Sequence, residues 1–399
     1  MDLRPRKLSY NEKMVNTFVA RVGVLSPVLS HFTSLDIAYG KGCYLYDSAG
    51  RSYLDFASGL GVASTGHCHP TVVRAIQKQA ETLIHACAGV VYYEPNVALA
   101  EKLVSKMGLD SVFFTQSGTE AVEAALKLAM YISKKKKLLH FRGGFHGRTL
   151  GALSVTTSKE KYREGYALLS ETMCLPYPCD FRGVDLEGVA AAIVEPVLGE
   201  GGYIPAPASF LKDLRRVCDE NGILLIFDEV QSGMGRTGYW AAFQHYGVTP
   251  DILCLAKGIA SGMPLGACMA GRSLMERWTP GAHGGTYGGN PVTCAAGLAT
   301  IDVLEDVLPR VRALGQRALS YIKERVSEDV RGLGFMIGIE LESAERVKAV
   351  REACLDRGLL VISCGVKDNV IRLIPPLVID EADLMKGVEI LISALHAHR

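Results

Sequence analysis

Six short apolar segments alternate with helical periodicity in the middle of the chain, and this alternation constrains the fold more than any other feature. The segments are 111–115, 138–141, 191–194, 223–227, 252–256 and 266–270. The segment 223–227, ILLIF, is apolar at every position, which is typical of a strand buried between two helix layers. Residues 119–133 and 208–221 have the spacing of amphipathic helices, and Gly222 is a suitable stop for the second. The pattern predicts an α/β fold with a mostly parallel sheet covered by helices on both faces.

The two ends of the chain differ from this middle. Residues 37–54 are predicted to form a hairpin with its turn at 47–50, and the C-terminal part combines a long helix with strands at 336–341 and 370–373. We expect both ends to form one small α+β domain, from residues 1–55 and 301–399, beside a large domain over residues 56–300. The length of 399 residues fits this division at about 150 residues per domain.

Charge and cysteine content exclude several classes of partner. With 43 basic and 42 acidic residues, the net charge of +1 lacks the basic surplus of proteins that bind nucleic acid or a membrane surface. The 11 cysteines contain no CxxC pair and His67-Cys68-His69 has no second ligand pair, so we expect reduced thiols, no metal and a cytoplasmic location. Residues 1–14 are charged with no apolar segment after them, which argues against a signal peptide, and no segment resembles a membrane helix. We therefore expect small-molecule partners or copies of the chain itself.

Polar residues directly follow three of the predicted strands, which is where open α/β sheets bind ligands. The first strand runs into Ser117-Gly118-Thr119 at the start of a helix. This motif offers a phosphate free backbone N–H groups, two hydroxyls and the positive end of the helix dipole. Helix capping by Ser117 or Thr119 alone is an equally ordinary role, and the motif lacks the lysine of a nucleotide P-loop and the glycine pattern of a dinucleotide site.

Asp228 and Lys257 end two further strands that are predicted to be buried. A lysine at such a position needs a partner, because burial of an ammonium is unfavourable, and an ion pair with Asp228 would meet that need. Alternatively, a desolvated lysine is a neutral nucleophile that forms a Schiff base with an aldehyde, and an aspartate keeps a pyridine nitrogen protonated. Together with the phosphate motif, the pair predicts a site for pyridoxal 5′-phosphate (PLP).

The chain resembles the class III aminotransferases of PLP fold type I, over nearly its whole length and in the family's order. The matching motifs are 55–59, 65–70, 117–123, 145–149, 195–196, 199–202, 225–233, 235–238, 256–258, 285–291 and 331–334. The resemblance implies a seven-stranded, mostly parallel sheet in the large domain. It also implies a PLP-dependent transaminase that acts on amino acid and keto acid substrates as a homodimer or as a dimer of dimers.

By this resemblance Lys257 and Asp228 are catalytic. Lys257 binds the cofactor aldehyde and moves the proton, and Asp228 holds the pyridine nitrogen. Gln231 hydrogen-bonds the phenolic oxygen of the ring. Phe145 stacks on the ring and Thr286 reaches the phosphate of the neighbouring subunit, although an ordinary core position and a glycine-rich turn also explain these two residues. The cofactor-binding residues implied are Ser117, Gly118, Thr119, Phe145, His146, Asp228, Gln231, Lys257 and Thr286.

Arg148 and Arg372 are candidates for binding substrate carboxylates, because a guanidinium can form two parallel hydrogen bonds with a carboxylate. A surface or interface ion pair is the alternative for either residue. By resemblance Arg148 receives the distal carboxylate and Arg372 the α-carboxylate of glutamate or 2-oxoglutarate. Glu200 then neutralises Arg372 when the donor has no α-carboxylate. The implied donor is a terminal amine, and the implied kinetics are ping-pong.

The sequence leaves the identity of the donor open. Residues 92–95 and 363–372 are more similar to the 4-aminobutyrate branch, so we expect transfer from a 4-aminobutyrate-like ω-amino acid to 2-oxoglutarate, giving a semialdehyde and glutamate. Phe145 departs from that branch, because bacterial 4-aminobutyrate enzymes often carry tyrosine there, whereas acetylornithine and ornithine enzymes often carry phenylalanine. The alternatives are an acetylornithine- or ornithine-type aminotransferase, or an amino-acid racemase or epimerase on the same scaffold.

Overall fold

The structure is a computed structural model that describes residues 22–399. Expectations for residues 1–21, including the absence of a signal peptide at 1–14 and the first part of the small domain, lie outside the described residues. Within residues 22–399, no helix is both long and apolar enough to cross a membrane. All 11 cysteines fall in the described part and are free thiols.

The strands are short, and most follow the apolar segments of the sequence. In chain order they are β1 Ile37–Lys41, β2 Tyr44–Asp47, β3 Ser52–Asp55, β4 Ser111–Thr115, β5 Lys137–Phe141, β6 Thr172–Leu175, β7 Val189–Val194, β8 Val197–Leu198, β9 Ile204–Pro205, β10 Leu224–Asp228, β11 Ile252–Leu255, β12 Gly266–Ala270, β13 Asp329–Leu333, β14 Met336–Glu340, β15 Leu359–Leu360, β16 Ile362–Cys364 and β17 Val370–Leu373.

Helices lie between most of these strands. The α-helices are α1 Ser58–Gly61, α2 Pro70–Thr82, α3 Glu94–Met107, α4 Gly118–Ser133, α5 Leu150–Ser154, α6 Ala208–Asn221, α7 Arg272–Met275, α8 Pro291–Glu305, α9 Leu308–Lys323, α10 Ala344–Asp356 and α11 Glu381–Ala397. Short 3₁₀ helices cover Val22–Val24, Glu160–Tyr162, Ala242–His245 and Lys257–Ala260. The predicted stop of α6 is confirmed, since Gly222 adopts the left-handed conformation with φ 59°.

A seven-stranded sheet forms the centre of the molecule, in the order β4-β12-β11-β10-β7-β5-β6. Only β12 runs antiparallel to its neighbours, so the predicted α/β fold with a mostly parallel sheet is confirmed. Both faces of this sheet are covered. Leu225 and Phe227 pack into one hydrophobic cluster, while Ile226 packs into the cluster on the opposite face. This explains why the segment 223–227 is apolar at every position.

The two ends of the chain meet in smaller sheets. Strands β1, β2 and β3 form consecutive antiparallel pairs, and β3 then pairs in parallel with β15 from the C-terminal part. A second four-stranded sheet has the order β13-β14-β17-β16. The predicted turn at 47–50 lies between β2 and β3. Chain-end strands thus share a sheet, as the two-part small domain requires, while the domain boundaries at 55 and 300 stay predictions.

The direction of the strands places several predicted site residues at one edge of the central sheet. Strands β4, β10 and β11 run in the same direction, so their carboxyl ends lie together at that edge. Asp228 is the last residue of β10, while Ser117 and Lys257 come shortly after the ends of β4 and β11. Antiparallel β12 starts at the same edge, so the residues just before Gly266 also lie there. This edge is the place where ligands bind in open α/β sheets.

Candidate active site

A cavity of about 490 Å³ lies at this edge of the sheet. All of the predicted site residues line it except Thr286 and Arg372. Those in the lining are Ser117, Gly118, Thr119, Phe145, His146, Arg148, Glu200, Asp228, Gln231 and Lys257. The structure therefore brings together, in one concave site, residues that are widely spaced in the sequence.

Lys257 follows the end of β11 and is partly exposed, and it lines the cavity. Desolvation lowers the pKa of its ammonium, and the nearby Glu200 carboxylate offsets part of that shift. The ion pair with Asp228 that the sequence left open is absent among the described residues, because Asp228 hydrogen-bonds His146 instead. Lys257 also has a left-handed backbone, with φ 47°, which is uncommon for a residue with a side chain and is typical of functional sites. Together these features suit an amine that must act in its neutral form.

Asp228 is buried at the end of β10 and is held by two contacts. Its Oδ2 lies 2.8 Å from His146 Nδ1, and its Oδ1 accepts a hydrogen bond of 3.0 Å from the backbone N–H of Val230. His146 is itself buried, and its backbone N–H donates to Thr156 Oγ1 at 2.9 Å. The sequence placed His146 in the cofactor set without a role, and the structure gives it a specific partner. It orients the Asp228 carboxylate.

Glu195 is a buried residue of the cavity that the sequence analysis did not select as a site residue. Its two oxygens accept hydrogen bonds from the backbone N–H groups of Phe145, at 2.8 Å, and Gly199, at 2.9 Å. Burial raises the pKa of this carboxyl to about 7. Because Glu195 directly follows the apolar strand β7, the same strand-end rule that found Asp228 would have found it. It fastens the loop that carries Phe145 to the loop that carries Glu200.

The start of α4 suits an anion. Ser117 does act as the N-cap, since its Oγ accepts from the N–H of Glu120 at 3.3 Å. The first backbone N–H groups of the helix, at Gly118 and Thr119, have no partner within a helix, and the helix dipole is positive there. Gly147 leaves room at this point, because a Cβ on it would lie 2.1 Å from Thr119 Oγ1.

Gln231 presents an unsatisfied amide to the cavity. The residue is buried, and its Oε1 has no hydrogen-bond partner among the described residues. An orphaned buried amide is unfavourable unless a ligand completes its hydrogen bonds. With the desolvated Lys257, the fixed Asp228 and the α4 N-terminus, this observation shows that the residues present fit PLP.

One wall of the cavity holds an ion pair between Glu200, which lines the cavity, and Arg372, which lies behind Glu200. Arg372, on β17, is buried, and its Nη1 lies 2.6 Å from Glu200 Oε1. Burial alone would raise the pKa of the Glu200 carboxyl, but the Arg372 guanidinium outweighs burial and the pKa is lowered. The pair is therefore charged. The sequence implied this pairing by resemblance, and the structure places the two side chains in contact.

Arg148 differs from Arg372 in being exposed. Its guanidinium carbon lies 4.2 Å from the centre of the Tyr162 ring and 6.0 Å from that of Phe145. Stacking on aromatic rings orients the guanidinium without consuming its hydrogen-bond donors. Tyr162 was not predicted as a site residue, and no motif in the sequence marks it. Phe145 is half-buried and lines the cavity rather than the core.

Thr286 is exposed, and it does not line the cavity of its own chain. The glycine-rich loop 284–289 that carries it approaches the start of α4 from outside, next to Glu120 and Glu123. The position of Thr286 thus differs from that of the other predicted cofactor-binding residues, all of which line the cavity.

Comparisons with known proteins give a consistent result. A family model described as aminotransferase class-III matches residues 26–395. An acetylornithine aminotransferase of Methanopyrus kandleri is 47% identical over 369 residues, covering 90% of this chain and 93% of that protein. The corresponding protein of Archaeoglobus fulgidus is 44% identical, covering 90% of this chain and 94% of the relative.

Solved structures agree with these relatives. An ornithine aminotransferase from Toxoplasma gondii has a TM-score of 0.90 at 30% identity, covering 96% of this chain and 94% of that chain. An acetylornithine aminotransferase from Elizabethkingia anophelis has a TM-score of 0.84 at 30% identity, covering 96% and 99%. This chain is therefore similar to aminotransferases both in sequence and in shape.

Proposed function

The chain belongs to the class-III aminotransferase family, and from this premise we propose that it transfers the terminal amino group of N-acetylornithine to 2-oxoglutarate. The predicted PLP-dependent transaminase and its fold type are confirmed by the family match. The relatives named above favour the acetylornithine alternative over our expectation of a 4-aminobutyrate-like donor. They also agree with Phe145, the residue that departs from the 4-aminobutyrate branch.

The observation that carries the terminal-amine part of this proposal is the ion pair between Glu200 and Arg372 beside Lys257, and the relatives support the choice of N-acetylornithine as the donor. N-acetylornithine has one carboxylate at one end and a free amine at the other. It needs one available arginine, Arg148, while Glu200 neutralises the other. Glutamate and 2-oxoglutarate have two carboxylates and need both arginines. A site with one exposed and one switchable arginine accepts both kinds of substrate in turn.

PLP supplies an aldehyde that accepts the amino group and a ring that holds electrons while the substrate carbon loses its proton. Lys257 Nζ takes that proton and later returns one, and its lowered pKa raises the fraction of neutral amine available for this task. Asp228, oriented by His146, would hold the pyridine nitrogen, and Gln231 the phenolic oxygen. Phe145 would cover a face of the ring. Ser117, Gly118 and Thr119 would hold the phosphate at the positive end of α4.

A panel of donors with 2-oxoglutarate tests the proposal, with glutamate formation as the readout. We expect N-acetylornithine to have a kcat/KM at least about tenfold above those of ornithine and 4-aminobutyrate, a difference of about 1.4 kcal/mol in transition-state binding. A higher value for 4-aminobutyrate would overturn the choice of donor and restore the first expectation.

The racemase alternative makes a different prediction for the same preparation. A racemase or epimerase would destroy the optical rotation of a single L-amino acid with no keto acid present. We expect the rotation to persist in that assay, because each named relative is an aminotransferase. Loss of rotation at a rate near that of transamination would favour the racemase.

We also propose a homodimer, alone or as half of a dimer of dimers, in which Thr286 of one subunit reaches the phosphate bound by the other. The support is the exposed position of Thr286 outside the cavity of its own chain. The cytoplasmic location expected from the reduced thiols stays a prediction.

A further inference from the structure

Lys159 is a buried lysine that the proposed function does not use. It lies in the segment after α5, only 8% of it is exposed, and its ammonium forms a salt bridge with Asp368. Desolvation lowers the pKa of this ammonium, and the strongest charge opposing that shift is Glu200. A buried lysine needs a reason to be retained, because an ammonium inside a protein is unfavourable.

A chain of contacts connects Lys159 with the substrate switch. The N–H of Asp368, its salt-bridge partner, donates to the carbonyl of Gly365 at 3.0 Å, and the N–H of Gly365 donates to the carbonyl of Glu200 at 2.8 Å. The side chain of Glu200 then contacts Arg372. Lys159 and Glu200 are therefore held around one short loop, at residues 365–368.

The switch itself creates a need for another cation. When a substrate α-carboxylate binds Arg372, the carboxylate of Glu200 must leave, and a carboxylate inside the protein requires a new partner. Arg372, Lys257 and Lys159 are the cations that lower the pKa of the Glu200 carboxyl most strongly. In that state Arg372 binds the substrate carboxylate and Lys257 takes part in proton transfer. Lys159 is the cation that remains.

We propose that Lys159 receives the Glu200 carboxylate whenever a substrate α-carboxylate occupies Arg372. Lys159 is then a positioning residue that favours glutamate and 2-oxoglutarate without touching them. Asp368 holds the ammonium while Glu200 is at Arg372, and because the Asp368 side chain is 44% exposed, water solvates its carboxylate when Lys159 turns away. The inference rests on the proposed function, because it needs substrates with and without an α-carboxylate next to the transferred nitrogen.

The variant Lys159→Met tests the inference in the holoenzyme. Two measurements require a carboxylate at Arg372: the half-reaction with L-glutamate, followed by the visible absorption of the cofactor, and the Kd of glutarate, a dicarboxylate that cannot react. We expect both affinities to fall about five- to tenfold, since a single charge partner is removed. The half-reaction with the ω-amine donor should change less than about twofold. Equal losses for both kinds of substrate, or no loss for either, would overturn the inference.

Two control variants separate this role from a structural one. Lys161→Met removes an exposed lysine near the same Asp368 carboxylate and should change neither half-reaction. Asp368→Asn removes the salt bridge but leaves the Lys159 charge for Glu200, so glutamate affinity should be retained. If Asp368→Asn reproduces the loss seen in Lys159→Met, Lys159 is only a structural clamp.

A double variant separates the switch from direct attraction of substrate. In a Glu200→Gln background no carboxylate has to move, so adding Lys159→Met should change glutarate and glutamate affinity less than about twofold. A loss as large as in the wild-type background would mean that Lys159 attracts the substrate itself. Neither the glutarate nor the glutamate measurement uses an ω-amine, so failure of the proposed donor and failure of this inference are distinguishable.

Discussion

At the scale of single residues, the site works by giving similar side chains different surroundings. Arg372 is buried and paired with Glu200, whereas Arg148 is exposed and stacked on Tyr162. Lys159 is paired with Asp368, whereas Lys257 has no salt bridge among the described residues and a lowered pKa. The chemistry of each group follows from these contacts rather than from its residue type.

The first prediction concerns Lys257. In Lys257→Ala the amine that binds the cofactor aldehyde is absent, so the purified protein should lack the visible absorption of the covalently bound cofactor. Transamination should fall by at least about 10³-fold, because the proton-transfer group is lost as well. Lys212→Ala, which removes an exposed lysine of α6, is the matched control and should behave as wild type. Persistence of the visible absorption in Lys257→Ala would show that the lysine assignment is wrong.

The second prediction compares the two arginines. Arg372→Ala should weaken the keto acid 2-oxoglutarate about 100-fold, seen as a higher KM, and a monoamine donor far less, because it removes a buried charge that binds only the α-carboxylate. Arg148→Ala should weaken every dicarboxylate and ω-amino acid, by about tenfold, since it binds the distal carboxylate. Steady-state kinetics with each substrate measure the pattern. Small, equal effects of both substitutions on all substrates would contradict the two-arginine scheme.

Sequence reasoning found the residues that occupy strand ends, and it found less of what surrounds them. Asp228 and Lys257 were predictable because a charge directly after an apolar strand is unusual and therefore informative. Glu195 carries the same signal and was overlooked. The contact of His146 with Asp228, and of Tyr162 with Arg148, depends on how loops fold back over the sheet. No spacing in the sequence encodes those contacts.

At the scale of elements, the site depends on the close approach of the 145–149 loop to the first turn of α4. Gly147 has φ 129°, and a Cβ on it would lie 2.1 Å from Thr119 Oγ1 and 3.0 Å from Thr119 Cα. The glycine therefore permits an approach that any side chain would block.

The third prediction follows from this approach. Gly147→Ala should displace Thr119 and weaken PLP binding by at least about tenfold, which titration of the cofactor-free protein with PLP would measure. Gly183→Ala is the matched control, because Gly183 also has a left-handed backbone, with φ 74°, but has open space around its Cβ position. It should cost about 1 kcal/mol of stability and leave PLP affinity unchanged. Equal PLP affinities for the two variants would contradict the proposed cradle.

The fourth prediction concerns His140 in β5. Burial, with smaller contributions from His146 and Arg163, lowers the pKa of this imidazole to about 3, and its Nδ1 has no hydrogen-bond partner among the described residues. The folded state thus favours neutral His140, so the stability it contributes is full above about pH 6.5 and is lost as pH falls towards 3.

When the pH is lowered from 7 to 5, the titration of His140 should reduce the free energy of unfolding of the wild type by about 2 kcal/mol. The variant His140→Leu lacks this group and should lack this contribution. Urea unfolding at both pH values measures the difference. His396→Leu, at an exposed position of α11, should keep the wild-type pH dependence. Identical pH dependence in wild type and His140→Leu would contradict the prediction.

Strands with a distinct apolar segment were easier to predict than those without one. Strand β12, inside the sheet, and strand β4, at one edge, begin and end as expected, because each contains consecutive apolar residues bounded by a change in composition. Strand β6 was missed. It pairs only with β5, its residues are half-buried or exposed, and its sequence TMCL therefore carries little periodicity.

At the scale of the whole molecule, the proposed dimer would complete each cofactor site with a residue from the other subunit. Thr286 is exposed in its own chain and belongs to a glycine-rich loop near the start of α4. Such an arrangement makes cofactor affinity depend on assembly, because a residue supplied by a partner is lost when the partner dissociates.

The fifth prediction tests this arrangement with mixed dimers. Thr286→Ala alone should weaken PLP binding about tenfold, by loss of a hydrogen bond to a charged group. Mixing it with Lys257→Ala should give dimers with one intact site, formed by Lys257 of one chain and Thr286 of the other. At limiting PLP, the mixture should be more active than the sum of the separate variants. No gain on mixing would show that Thr286 does not act across subunits.

The pairing of β3 with β15 has a consequence for folding during synthesis of the chain. Leu54 pairs with Leu359, so β3 must wait while about 300 further residues are synthesised, at roughly 5–20 residues per second. During that time the edge of the β1–β3 sheet is open, and open edges invite pairing with other chains. A nascent chain of this protein therefore spends tens of seconds with an unfinished sheet, and we expect its early hairpins to be where chaperones bind it.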